Sequence, residues 1–273
     1  MNISQQNKTQ SGSSKIMKIA LIGDIHSNLP ALEAVLEHAK KTKVNEIWNI
    51  GDILGYNAFP NEVIDLLRKK NVISIYGNFE KKVLKAKKQD RIISKNRLKQ
   101  LTFQWTYEQL TPENRQYIKE LPREIRYILF GKRILITHAS PLSKKEHLNL
   151  NTPDERLEFI AAHPDTNADI IIVGHSHDPF LRKVSNTWFI NTGSVGRADD
   201  GDQRACYATM EINKDTIEVI HYRIPYDVNR AVQGITDNNL PREFANMLIA
   251  GRGLTGHAKY LQKILKNGNG KKK

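Results

Sequence analysis

Apolar residues in the first third of the chain fall into two alternating patterns. Short, mostly apolar runs, typical of buried strands, cover residues 19–22, 46–50 and 72–76. The segments after the first two runs instead carry apolar residues at helical spacing, namely Leu32, Val35, Leu36 and Ala39, then Val63, Ile64 and Leu67. This alternation of strand and helix predicts parallel βαβ units.

The middle of the chain carries no good strand signal. We predict that residues 80–121 are mostly helical, with Leu98, Leu101 and Trp105 on one apolar face. Prolines punctuate this segment and its end. The segment therefore reads as a helical insertion between two groups of strands.

The second half of the chain returns to strands. Apolar runs predict strands at 133–136 and 168–173, with a helix between them that begins at the capping-box spacing of residues 152–155. Further on, apolar and polar residues alternate in three segments, which are 183–191, 206–212 and 216–223. We predict that these form an antiparallel meander, followed by two helices near 228–235 and 241–249.

The pattern favours one α/β (α+β) domain with short tails. Residues 1–14 are polar and are predicted to be disordered. We predict a single domain over 15–250, in which 80–122 form a basic helical cap. Residues 251–273 form a C-terminal extension whose basic end is predicted to be disordered.

The composition is that of a soluble globular enzyme. Of the 273 residues, 39% are hydrophobic and 26% are charged, and no apolar run approaches the roughly 20 residues that cross a membrane. The N-terminal residues lack the apolar stretch of a signal peptide. Cys206 is the single cysteine, which excludes an internal disulfide and fits a reducing compartment. We predict a cytoplasmic protein that does not associate with membranes.

The net charge of +13 is concentrated in one part of the chain. Nine of the nineteen residues from Lys81 to Lys99 are Lys or Arg, against one acid. Such a segment could attract an anionic substrate or nucleic acid, or could simply be a solvated face. Charge alone does not name a partner.

Seven side chains that can bind metals each follow a predicted strand. They are Asp24, His26, Asp52, Asn78, His138, His175 and His177. Because ligands bind outside the carboxyl ends of parallel strands, we expect these side chains to meet at one edge of the fold. We also expect an extended backbone at Asp24 and His26 to point both side chains to the same side, with Ile25 turned into the core. Two divalent cations are a common device for phosphate-ester hydrolysis.

These segments, in this order, resemble the calcineurin-like metallophosphoesterase family, whose pattern is DxH, GD, GNH[D/E], H and GHxH. The resemblance runs from Met17 through nearly the whole chain and is closest to the bacterial and archaeal single-domain branch. It implies a four-layer αββα sandwich with a helical insertion and C-terminal helices. It also implies a hydroxide between two metal ions as the attacking group.

The resemblance assigns each ligand. Asp24, His26 and His177 would hold one metal ion, and Asn78, His138 and His175 would hold the other. Asp52 would bridge both ions and, with His138, would be catalytic through the metal-bound hydroxide. Nitrogen and oxygen ligands without thiolate suit Mn first, with Fe, Zn, Co and Ni as alternatives.

One position departs from the family pattern. Phe79 stands where the family commonly has a histidine that assists the leaving group, and a phenyl ring cannot donate a proton. Weaker substrate-side candidates are Asn28, Asn57 and Arg197. For Arg197, pairing with Asp199 or Asp200 is an equal alternative. We interpret Cys206 as core and five further histidines as structural, which are His38, His147, His163, His221 and His257.

We therefore predict a dimetal phosphoesterase that hydrolyses phosphodiesters or phosphomonoesters of a small molecule or nucleotide. A nucleic-acid substrate held by residues 81–99 is the first alternative. A non-catalytic scaffold with the same fold is the second. The physiological substrate and the oligomeric state stay open.

Overall fold

A computed structural model describes residues 16–87 and 92–254 of the chain. The strands of this part are β1 (Met17–Ile22), β2 (Glu46–Asn49), β3 (Ile73–Ser74), β4 (Glu124–Leu129), β5 (Lys132–Thr137), β6 (Ile170–Val173), β7 (Phe180–Val184), β8 (Thr187–Asn191), β9 (Ala205–Ile212) and β10 (Ile217–Ile224). The helices are α1 (Leu29–Lys41), α2 (Pro60–Lys69), α3 (Asn78–Lys85), α4 (Arg97–Gln109), α5 (Pro112–Glu120), α6 (Asp154–Ala162), α7 (Val228–Asp237) and α8 (Arg242–Ala250). The two predicted disordered tails and His257 fall outside the described residues.

The strands form two mixed sheets of five strands each. The first sheet has the order β10-β9-β1-β2-β3. Strands β1, β2 and β3 run parallel to one another, β9 runs antiparallel to β1, and β10 runs antiparallel to β9. The second has the order β4-β5-β6-β8-β7, with a parallel centre of β5, β6 and β8. The predicted parallel units are therefore present in both sheets.

The two sheets pack face to face and carry helices on their outer faces. Ile19 and Leu21 of β1 join Ile134 and Ile136 of β5 in an apolar cluster between the sheets. Their neighbours in β1 point the other way and pack against helices such as α1 and α8. Helix α6 covers the outer face of the second sheet. This αββα arrangement confirms the predicted sandwich, and its apolar strands are buried because both faces are covered.

The predicted meander is wrong. Residues 183–191 are the greater part of a hairpin, β7 and β8, that turns at Ser185 and belongs to the second sheet. Strands β9 and β10 pair with each other in the first sheet, across the predicted turn at 213–215. A strand has the same alternation of apolar and polar residues in either sheet, so this pattern could not show that the two hairpins belong to different sheets.

Strand β4 was not predicted. It is an edge strand that pairs with β5, and its alternate residues Ile125, Tyr127 and Leu129 pack against the cluster between the sheets. The predicted strand at 72–76 is hydrogen-bonded as a strand only at Ile73–Ser74. Strands β3 and β4 are hard to predict because β3 is short and only alternate residues of β4 are partly buried.

The described part of the middle segment is mostly helical, as predicted, and contains α3, α4 and α5. Its predicted apolar face is wrong at Leu101, which is 38% exposed, whereas α4 buries Thr102, Phe103 and Thr106. The buried threonines offered no apolar signal. No helix in the described ranges is long and apolar enough to cross a membrane.

Candidate metal centre

The seven predicted ligands lie where strands of both sheets end. Asp24 and His26 follow β1, Asp52 follows β2, and Asn78 begins α3 after β3. The remaining ligands come from the second sheet, where His138 follows β5 and His175 and His177 follow β6. The two sheets thus bring together residues that are far apart in the sequence, as the strand-end argument predicts.

The first group of ligands is Asp24, His26 and His177. The His177 Nε2 atom lies 3.1 Å from Asp24 Oδ1 and 3.3 Å from His26 Nε2, and the His26 Nε2 to Asp24 Oδ1 distance is 3.9 Å. All three side chains are buried. Three ligand atoms within 4.8 Å of one another form a group that could hold a metal ion.

The second group is Asp52, His138 and His175, whose ligand atoms also lie within 4.8 Å of one another. The His138 Nε2 atom is 3.4 Å from Asp52 Oδ1. Asn78 joins this group because its Nδ2 donates to Asp52 Oδ2 at 3.1 Å.

The backbone at these ligands differs from the expectation. Five of them lie in the left-handed region, with φ values of 51° at Asp24, 50° at His26, 51° at Asp52, 67° at His175 and 61° at His177. The extended conformation expected at Asp24 and His26 is therefore wrong, although Ile25 is buried in the core as predicted. Non-glycine residues rarely adopt positive φ, and such strain concentrates at functional sites.

Two glycines allow the loops to come this close. A Cβ atom at Gly77 would overlap the backbone N and the side chain of Asp52. A Cβ atom at Gly174 would lie 2.6 Å from Asp24 Oδ2. Both positions therefore need glycine for steric reasons.

Backbone carbonyl groups orient three of the imidazole rings. The Nδ1 atoms of His26, His138 and His177 lie 3.1, 2.8 and 2.8 Å from the carbonyl oxygens of Leu54, Ile50 and Arg197. A ring nitrogen that faces a carbonyl oxygen carries a proton, so each ring, in its neutral form, presents its Nε2 lone pair to the centre. This is the arrangement that fixes metal-binding histidines.

Burial keeps two histidines of the site neutral, whereas Asp52 and His138 form a buried pair of opposite charges. Burial lowers the pKa of His26 to about 3 and that of His175 to about 4, so both are neutral. Burial alone would raise the pKa of Asp52, but the positive charge of His138, whose Nε2 lies 3.4 Å from Asp52 Oδ1, outweighs burial and lowers that pKa. At His138, burial alone would lower the pKa, but the negative charge of Asp52 outweighs burial and raises the pKa of His138 to about 10. A metal cation would take over this charge compensation.

The residues fit a pair of divalent cations. Asp24 Oδ1 and His138 Nε2 are buried and have no hydrogen-bond partner. Buried polar atoms without partners are costly, and a bound cation would satisfy both. The donors are carboxylate oxygen, imidazole nitrogen and one amide, a set that suits Mn, Fe, Zn, Co or Ni.

The sequence analysis missed Glu80. This buried carboxylate accepts three backbone hydrogen bonds, from the N–H groups of Gly77 at 2.7 Å, Leu54 at 3.0 Å and Asp52 at 3.1 Å. Burial and the nearby charge of Asp52 raise its pKa to about 7. Glu80 ties the loops that carry Asp52 and Asn78 to each other. Its capping-box position, three residues after Gly77, was the available signal.

Phe79 turns away from solvent into an aromatic cluster. Its ring lies edge-on to His26 at a centroid distance of 4.8 Å and 5.0 Å from the rings of Tyr56 and Phe103. The ring also fills the space beside Gly55. Its backbone N–H donates to Asp52 Oδ1 at 2.7 Å. Phe79 therefore supports both metal groups but offers no proton.

Two of the predicted substrate-binding residues make hydrogen bonds inside the fold. Asn28 is fully buried, its Oδ1 accepts from the Ala31 N–H at 3.2 Å, and its Nδ2 donates to the Gly196 carbonyl at 3.0 Å. Asn57 is also buried and its Nδ2 donates to the His26 carbonyl at 2.8 Å. The structure gives neither residue an exposed polar group for a substrate.

Arg197 lies beside the first metal group. Its Nη2 is 2.7 Å from Asp199 Oδ2 and 3.2 Å from His177 Nδ1, and its guanidinium carbon lies 5.0 Å above the Tyr56 ring. The pairing with Asp199, one of the two alternatives, is therefore present. The Nε atom of Arg197 is buried without a partner.

One histidine taken as structural lies at the site. The His147 ring stacks on His175 at a centroid distance of 4.1 Å. By contrast, His38 and His221 make hydrogen bonds within the fold, to the Tyr207 hydroxyl and the Asn191 carbonyl. Nothing in the sequence around His147 marked its approach to the metal centre, because the loop that carries it has no regular period.

Comparison with known proteins gives the same assignment. Residues 17–215 match the sequence profile of the calcineurin-like phosphoesterase superfamily domain. An uncharacterized protein of Methanocaldococcus jannaschii is 33% identical over 251 residues, which cover 86% of this chain and 98% of that protein.

Solved structures are similar over most of the chain. A metallophosphoesterase from Sphaerobacter thermophilus is 29% identical, with a TM-score of 0.70 and coverage of 87% of this chain and 100% of that one. A hypothetical protein from Pyrococcus horikoshii is 22% identical and shares the fold, with a TM-score of 0.78 and coverage of 86% and 98%. The chain thus belongs to the calcineurin-like phosphoesterase superfamily and is a hydrolase of phosphoric ester bonds.

Proposed function

We propose that the protein is a dimetal-dependent phosphoesterase that hydrolyses phosphodiesters or phosphomonoesters of small molecules or nucleotides. The observation that carries this proposal is the pair of ligand groups, Asp24 with His26 and His177, and Asp52 with His138 and His175. Buried ligand atoms without partners in both groups support it further. Mn²⁺ is the proposed metal, because the donors are nitrogen and oxygen only. The single cysteine is the basis for a proposed cytoplasmic location.

The protein's own groups position the reaction. Two bound divalent cations would supply positive charge that activates water and offsets the charge of the phosphoryl oxygens. Asp52, held by Asn78 and by the Phe79 N–H, is placed to link the two groups of ligands. The guanidinium of Arg197, beside His177, can neutralise a phosphoryl oxygen that enters from that side.

Phe79 narrows the proposed substrate range. A leaving group with a high pKa needs a proton donor, and Phe79 cannot provide one. We expect faster hydrolysis of aryl diesters than of alkyl monoesters. Equal or faster hydrolysis of an alkyl monoester would contradict this expectation.

Neither alternative has a specific observation in its favour. A nucleic-acid substrate would use the basic residues of 81–99, but five of the seven that the structure describes are exposed, as in a solvated face. A non-catalytic scaffold would tolerate loss of ligands, whereas all seven are present and six of them form the two compact groups.

The direct test is hydrolysis of bis(p-nitrophenyl) phosphate with added Mn²⁺. We expect Asp52→Asn and His138→Ala to abolish turnover, since each removes a ligand of the second group. His163→Ala is the matched control, because this histidine lies at the end of α6, outside both groups. Circular dichroism checks that each variant is folded. Retained activity in both ligand variants would refute the proposal.

A further inference from the structure

The second metal group is the one that opens to solvent. All three side chains of the first group are buried. In the second group Asp52 and His138 are buried, whereas His175 and the adjoining Asn78 are half-buried. A substrate therefore reaches the metal centre beside these two residues. Because the attacking water comes from the side of the buried ligands, an in-line displacement puts the leaving oxygen of the ester on the solvent side.

His147 lies at this opening. Its ring stacks on the ring of His175, with the ring centres 4.1 Å apart and the ring planes inclined by 28°. The His147 side chain is nevertheless exposed to solvent. The ligand atom of His175 is within 4.8 Å of those of Asp52 and His138. The exposed ring is thus separated from the second metal group by one stacked imidazole.

The chain on either side of His147 is held in place. Leu148 is buried, and its carbonyl oxygen accepts a hydrogen bond from Ser176 Oγ at 2.7 Å. On the other side, the carboxylate of Glu146 accepts from Nε and Nη2 of Arg156, at 2.6 and 2.9 Å. Because Ser176 directly follows the half-buried histidine ligand in the chain, the loop is tied to the metal centre itself.

The ring nitrogens of His147 are not used by the fold. Within residues 16–87 and 92–254, no group forms a hydrogen bond or an ion pair with them. The stack on His175 occupies a face of the ring, whereas both nitrogens lie at its edge. A neutral imidazole always carries one N–H group, so His147 can donate a hydrogen bond without any change of its charge.

We propose that His147 is a substrate-binding residue whose ring N–H donates a hydrogen bond to the leaving oxygen of the phosphate ester. This inference rests on the proposed function and deepens it. As the P–O bond breaks, its electron pair passes to the leaving oxygen, and the hydrogen bond stabilises that negative charge. His147 keeps its proton, and the leaving oxygen takes one from water. The contact offsets part of what Phe79 cannot supply, and it matters most for a basic leaving group.

Two substitutions separate the hydrogen bond from the ring stack. His147→Phe keeps a ring against His175 and removes the N–H, whereas His147→Gln keeps an N–H donor and removes the ring. The assay is kcat/KM, with added Mn²⁺, for methyl p-nitrophenyl phosphate and methyl phenyl phosphate, which differ only in the leaving group. The matched control is His163→Phe at the end of α6, outside both metal groups.

The expected loss depends on the leaving group. We expect His147→Phe to lower kcat/KM about tenfold for methyl phenyl phosphate and about twofold for methyl p-nitrophenyl phosphate, because phenolate is the more basic leaving group. His147→Gln should recover part of this loss, and the control should match the wild type. The metal content, measured by mass spectrometry, should be the same in all variants. Full activity in His147→Phe, an equal loss for both esters, or a lower metal content in His147→Phe would overturn the inference.

A second measurement does not depend on turnover. Diethyl pyrocarbonate labels accessible imidazole nitrogens, and peptide mass spectrometry follows the labelling of His147 and His163 in Mn²⁺-loaded protein. Inorganic phosphate has an oxygen at the position of the leaving oxygen. At about twice its dissociation constant it should slow the labelling of His147 about threefold and leave that of His163 unchanged. Unchanged labelling of His147 would overturn this inference alone if the wild type hydrolyses both esters, whereas a wild type that hydrolyses neither would refute the proposed function.

Discussion

The buried carboxylate of Glu80 gives a quantitative prediction for the loops that hold Asp52 and Asn78. Its two oxygens accept three backbone N–H groups, from Asp52, Leu54 and Gly77. In Glu80→Gln one oxygen becomes an NH₂ group, which cannot accept a hydrogen bond. The fewest hydrogen bonds are lost if the NH₂ group takes the place of Oε1, which accepts only from the Leu54 N–H. The remaining oxygen then keeps the two donors of Oε2.

The expected loss follows from this count. One buried N–H group without an acceptor costs about 1–3 kcal/mol, so Glu80→Gln should lower the free energy of unfolding by that amount. For a chain of this size the midpoint of thermal unfolding should fall by about 2–12 °C. Glu80→Ala leaves three donors without partners and should be clearly worse.

The measurement is urea unfolding monitored by circular dichroism, together with metal content by mass spectrometry. The matched control is Glu158→Gln, an exposed glutamate of α6. We expect the control to stay within about 0.5 kcal/mol of the wild type. If Glu80→Gln is as stable as the control and keeps its full metal content, Glu80 does not tie these loops together.

Three further predictions concern the packing around the site. Gly174→Ala should displace the Asp24 carboxylate and lower the bound metal measured by mass spectrometry, whereas Gly131→Ala, where nothing lies within 4 Å, should leave the metal content unchanged. Phe79→Ala should lower the free energy of unfolding by about 3–5 kcal/mol, because it empties a buried aromatic position; a loss below about 1 kcal/mol in urea unfolding would argue against that packing. Burial raises the pKa of Cys206 to about 11, so at pH 8 its thiol stays protonated and should react with Ellman's reagent only after unfolding; fast labelling of the native protein would contradict this.

The sequence correctly predicted which side chains come together at the ends of the strands. The apolar runs before Asp24, Asp52 and His138 are long enough to identify the strands, and the ends of parallel strands must meet. The positions of the ligands followed from that topology. Their left-handed backbone did not, because Asp and His, although enriched at positive φ, adopt it too rarely for the sequence to indicate it at a given position.

The missed features depend on contacts between distant parts of the chain. The alternating pattern of β7 to β10 is the same whichever sheet receives the strands, so the division between two sheets is decided by tertiary packing. Glu80 has the spacing of a helix cap, and only the fold shows that its carboxylate also reaches the loop after β2.

The central claim is that the two ligand groups hold two metal ions. Its most direct test is the metal content of protein loaded with Mn²⁺ and then dialysed, measured by inductively coupled plasma mass spectrometry. We expect about two ions per chain in the wild type and one or fewer in Asp52→Asn. A wild-type protein that retains no metal under these conditions would contradict the account.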